Sequence, residues 1–136
     1  MSRIDEIIQK INGLQNMSEL DENMIAEENG YAESLAKDIR SLKTTQLRRV
    51  FGKVKTIERN LNERGWDYVS SDFYMLRPEL AYAKARDLIP WKFFKLMDVC
   101  MKQVDRGNDE QKKNNYAKFV MFLEAIVAYH KYHGGK

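Results

Sequence analysis

Apolar residues recur at helical spacing along most of this chain, and nowhere more densely than over residues 115–132, N-Y-A-K-F-V-M-F-L-E-A-I-V-A-Y-H-K-Y. At about 100° per residue, Tyr116, Phe119, Val120, Leu123, Ile126, Val127 and His130 form one stripe of a helix. Met121, Phe122, Ala125 and Tyr129 form a second stripe on the opposite side, so the helix is apolar almost all round. Such a helix belongs at the middle of a bundle or between two subunits, because one packed face cannot hide both stripes. Two expectations therefore stand side by side: a central core helix, or a helix whose second stripe is a subunit contact. Gly134 supplies the residue expected just past a helix end, where a left-handed backbone costs no Cβ clash.

Earlier in the chain, Ile4, Ile7, Ile8, Ile11 and Leu14 predict a short amphipathic helix over 3–14 that ends at Gly13. Residues 16–30 are acidic and polar and read as a linker with room for one helical turn. Residues 1–30 are thus expected as an acidic arm, mobile or loosely docked, with a swapped or partner-docking arm as the alternative. Residues 31–136 are expected as the helical bundle domain. Tyr31, Leu35, Ile39 and Leu42 open it, and Thr44 or Thr45 offers an N-cap for a long helix to about Asn62 with the seam Leu47, Val50, Phe51, Val54, Ile57 and Leu61. Residues 62–71 read as a loop, in which Trp66 and Tyr68 either stack on bases or pack over the core edge. Ser71 or Asp72 would cap the next helix, kinked or restarted at Pro78; Pro90 begins another, and Asp109 caps the route into the last. With two prolines, seven glycines and no alternating β-branched run, the predicted fold class is all-α, a compact bundle of about five helices.

Composition narrows the function classes. Lys118, Glu124 and Lys131 interrupt the most apolar stretch, so no segment reaches the roughly 18 uncharged residues a membrane span needs. The N-terminus has acids where a signal peptide needs an apolar core, which predicts a cytoplasmic protein without a membrane partner. Cys100 lies beside Met97 and Met101 as a small core residue. His130 and His133 are one turn apart with no third ligand in view, so neither metal nor cofactor is expected. The carboxylates are dispersed and no glycine-rich phosphate loop is present, so no catalytic constellation is expected.

Charge is what changes the picture. The formal net charge of +3 divides unevenly: residues 1–43 hold five basic and nine acidic side chains, residues 44–136 hold 18 and 11. A basic body favours a polyanionic partner. On the long helix, Arg48, Lys55 and Arg59 fall on one flank at i, i+7 and i+11, and Arg49 and Lys53 on the other. Three cations over about 16 Å of helix can follow a phosphate backbone, and Glu58 is the sole acid between Thr44 and Asn62. The alternative is an ordinary solvated face.

Three stretches carry a resemblance. T-T-Q-L-R-R-V-F-G-K-V at the start of the long helix, L-R-P-E-L-A-Y-A-K-A-R, and F-V-M-F-L-E-A-I-V-A-Y-H-K-Y-H-G-G at the C-terminus resemble, in this order along the chain, the small subunit of type III-A CRISPR effector complexes. Ala85 stands where many members carry Gly. The resemblance covers about residues 31–135 and leaves the first 30 outside. It implies a non-catalytic subunit present in several copies along the inner filament, associated side by side, beside the backbone subunits that hold the guide RNA. It further implies that Arg48, Arg49, Lys53, Lys55 and Arg59, with Lys84 and Arg86 as outer candidates, contact the backbone of guide and target RNA without reading sequence. The competing expectations are a helical protein–protein adaptor and a DNA-binding regulator, the latter opposed by a Gly65 loop too long for a helix-turn-helix turn.

Overall fold

In the computed structural model, which describes residues 2–135, seven α-helices and one 3-10 turn account for all regular structure among the described residues. They are α1 (Arg3–Asn12), the 3-10 turn (Met17–Glu19), α2 (Glu22–Ala26), α3 (Tyr31–Asp38), α4 (Thr44–Arg64), α5 (Trp66–Ala85), α6 (Trp91–Val104) and α7 (Asp109–Tyr132). From residue 31 onward the five expected helices are present.

The last helix is the centre of the bundle. Asn108, rather than the expected Asp109, caps α7 by accepting from the Gln111 N–H at 2.9 Å, and Asp109 and Glu110 in the first turn complement the helix dipole. Around it pack α3, α4, α5, α6 and the 3-10 turn. That enclosure explains why both stripes are apolar. Phe122 is only 1% exposed, Ala125 and Tyr129 are half-buried against the core, and the Tyr129 hydroxyl donates to the Ala26 carbonyl. Of the four residues expected as a subunit contact, Met121 alone is exposed, at 39%. Phe122 meets neighbours within its own chain and has no face to offer another. Past the helix end, Gly134 adopts φ 82° and the Gly135 N–H donates to the His130 carbonyl at 2.8 Å, the closure expected of a glycine there.

The acidic first 30 residues lie against the same core. α1 sinks Ile4, Ile7, Ile8 and Ile11, and Met17, Leu20 and Ile25 follow from the segments after it. Two buried amides tie this segment down. Gln103 Nε2 donates to the Ile11 and Asn12 carbonyls, both at 2.9 Å, satisfying the open end of α1. Asn115 Oδ1 accepts from the Ser18 N–H at 3.1 Å and the Ser18 hydroxyl at 2.6 Å, while its Nδ2 donates to the Val104 and Arg106 carbonyls at 3.1 Å. The acids of this region sit on the outward side, so its composition and its packing point in different directions.

The expected loop over 62–71 is helical apart from one residue. Gly65, at φ 89°, is the whole break between α4 and α5. Trp66 restarts the helix and is buried, its ring 5.2 Å from that of Phe73, so it packs in the core; Tyr68 stays 53% exposed. Ser71 and Asp72 consequently lie inside α5 and cap nothing, and Pro78 sits on the exposed side of a helix that continues through it. At α4 neither Thr44 nor Thr45 caps: Lys43 takes the cap position without a side-chain bond, and the buried Thr44 hydroxyl has no partner.

Candidate nucleic-acid interface

Because Leu47, Val54, Ile57 and Leu61 are buried, the 3.6-residue period of α4 leaves Arg48, Arg49, Lys53, Lys55 and Arg59 exposed. They form two flanks, as expected. Arg48, Lys55 and Arg59 lie on one side, where Glu124 of α7 is close enough to act on Lys55. Arg49 and Lys53 face α5 across a groove of about 420 Å³, whose far rim carries Tyr82 and Arg86 and whose floor is apolar, with Val50, Leu80 and Ile89 among its residues. Lys84 is half-buried and lines neither surface.

Two of these cations are already paired. Lys53 Nζ is 3.2 Å from Glu79, and Lys55 Nζ is 2.8 Å from Glu58, whose hydrogen bond and charge hold the Lys55 ammonium above its ordinary pKa. Both pairs are about half exposed on the lysine side, so each contributes little to stability and a phosphate can compete for the lysine. Arg48, Arg49, Arg59, Lys84 and Arg86 make no ion pair with the described residues. Arg86 instead lies over the Tyr82 ring, 5.7 Å from its centroid. Tyr82, 64% exposed, was not singled out from sequence; its place one turn before Arg86 was the available signal.

Other basic residues are committed inside the fold. Lys112, near the start of α7, is 2.9 Å from Asp105, and that contact raises the Lys112 pKa. Lys118 donates to the Leu20 carbonyl at 2.7 Å. Arg77 holds Asp98, a largely buried carboxylate, at 2.7 Å and stacks over Phe94.

The groups with catalytic or ligating chemistry are likewise engaged. His130 is buried with Nε2 2.8 Å from the Leu42 carbonyl, and His133 Nε2 is 2.8 Å from Glu33 Oε2. Burial pushes the Cys100 thiol far above the range where thiolate forms. Among the described residues no three His, Cys, Asp or Glu side chains come together as metal ligands, and no helix is long and apolar enough to cross a membrane.

Glu33 gives a pH prediction. The Asn29 N–H at 2.7 Å, then His133, lower its pKa, with Lys37 adding charge. A carboxyl depressed on folding stabilises above its unfolded value and ceases to as pH falls through its folded one. Glu33→Gln should therefore lower Tm at pH 7, and the gap to the native chain should close as pH drops below about 4.5. Thermal melts at a series of pH values check this; a gap that persists at acid pH contradicts it.

The three sequence stretches now have places: the first opens α4, the second is the C-terminal half of α5, and the third is most of α7 with the glycines after it. Residues 22–136 match the family model described as Csm2 Type III-A. The chain belongs to the Csm2 Type III-A family. The match takes in α2 through α7 and begins after α1. A curated relative from Streptococcus thermophilus, named CRISPR system Cms protein Csm2, is 24% identical over 119 residues, spanning 85% of this chain and 95% of the relative. No solved structure matches. As a Csm2 family member, the chain is a small subunit of a multi-subunit type III-A CRISPR effector complex.

Proposed function

We propose that this small subunit uses the cationic surface of α4 to hold the sugar-phosphate backbone of guide and target RNA, without reading bases and without cutting them. The observation that carries the reading is the exposure, on one helix, of Arg48, Arg49 and Arg59 with no ion pair to the described residues. Unpaired guanidiniums suit phosphate, since each presents a fixed fork of donors and carries its charge at any working pH. Lys55 adds to the flank of Arg48 and Arg59, Lys53 and Arg86 add to the groove flank of Arg49, and the half-buried Lys84 lies outside both. Copies set side by side along the inner filament would repeat it along the RNA. Contacts restricted to the backbone accept any spacer sequence, as a guide-directed complex requires. Cleavage then belongs to other subunits, in keeping with the buried thiol and the engaged histidines of this one.

A protein-contact role has its own support. Tyr68 and Met75 on α5 and Trp91 on α6 are 53%, 56% and 57% exposed, more than a solvated bundle needs. These residues, with Met121, replace the second stripe of α7 as candidates for contact with neighbouring subunits and copies. In gel-shift titrations the purified full chain should retard single-stranded RNA of unrelated sequences at about 50 mM salt and release it by about 200 mM. No shift at low salt would favour the adaptor reading, in which the cations serve solubility alone.

A further inference from the structure

The groove between α4 and α5 has a composition that backbone contacts do not explain. Phosphates need cations, yet the floor is formed by Val50, Leu76, Leu80 and Ile89, and the rim exposes a tyrosine ring. At about 420 Å³ it falls within the size range of small-ligand sites, which run from about 300 to 1,000 Å³.

We propose that this groove binds a nucleotide whose base is unpaired, so that the same surface takes single-stranded RNA as well as backbone; the proposal rests on the RNA-binding reading of α4. A base has two flat apolar faces that a duplex hides by stacking. Only an unstacked base can lay one face on the apolar floor and the other against Tyr82. Arg86, already over the Tyr82 ring at 5.7 Å, adds a planar cation to the stack. Arg49 on the opposite rim and Arg86 on the near one are placed for the phosphates on either side of such a nucleotide. Glu79, held 3.2 Å from Lys53 on the rim, leaves a carboxylate that accepts from base amino groups. Three cations and one acid surround the groove, which favours a polyanion over an acidic peptide with fewer charges per unit length.

Tyr82 is exposed, so replacing it spares the core. The test is fluorescence anisotropy of the full chain at low salt with a uridine 12-mer and an abasic oligomer of equal length and charge. The native chain should bind the uridine oligomer about 5- to 100-fold more tightly than the abasic one, Tyr82→Ala should remove that preference, and Tyr82→Trp should keep it. Equal affinity of the native chain for both oligomers, or a preference that survives Tyr82→Ala, overturns the proposal and leaves the phosphate contacts of α4 standing. A preference unaffected by Tyr82→Ala, together with lost assembly into the effector complex, would assign the groove to a protein segment and overturn it too. Failure of the native chain to bind either oligomer overturns the reading of α4 itself and this proposal with it.

Discussion

Phe122→Glu should leave the chain without a cooperative fold, while Met121→Glu, one residue away, should melt within a few degrees of the native protein. Phe122 is 1% exposed, on the side of α7 that packs against the rest of its own chain, and Met121, on the outward side, is 39% exposed. Truncating a buried phenylalanine alone costs about 3–5 kcal/mol, and a carboxylate in its place adds the penalty of burying an unpaired charge. The sum approaches the roughly 5–15 kcal/mol that holds a domain of this kind together. Circular dichroism through a thermal ramp reads both variants. A Phe122→Glu chain that melts normally but fails to join the effector complex would restore the second stripe of α7 as a subunit contact and contradict the packing described above.

The second large effect is on RNA. Replacing Arg48, Arg49 and Arg59 together with alanine should weaken target RNA binding by the assembled complex on the order of 100-fold, taking about 1 kcal/mol for each phosphate contact in water. The three side chains are exposed and carry no ion pair to the described residues, so their loss should not unfold the subunit. Arg77→Ala is the control for charge alone. It removes one positive charge, but its partner Asp98 is buried, so its effect should appear in stability and not in RNA affinity.

How far the sequence reveals this molecule depends on whether each feature is local. The two flanks of α4 follow from helix geometry and could be assigned from spacing alone. The pairing of Lys53 with Glu79 could not, because it depends on how α5 docks. The stretch around Gly65 reads as a loop since polar residues surround a glycine, yet those residues merely face outward and the Trp66 ring anchors a new helix beneath them. The first 30 residues mislead for a related reason: their acids dominate the composition, whereas their fate is decided by a few buried isoleucines and by Gln103 and Asn115, which lie more than 90 residues away in the chain. On α7 the apolarity of both sides was plain, but a pattern on one helix cannot distinguish a neighbour in the same chain from a neighbouring subunit. The groove with Tyr82 needs two helices side by side before it exists at all.

The salt dependence of RNA binding is the most direct measurement of whether α4 holds phosphates. Plotting the logarithm of affinity against the logarithm of salt concentration, the account predicts a slope shallower by about 2 in the complex carrying Arg48→Ala, Arg49→Ala and Arg59→Ala than in the native one, roughly 0.7 for each lost single-strand contact. Parallel lines for the two complexes would mean that these arginines release no counterions from RNA, and the role assigned to this helix would be wrong.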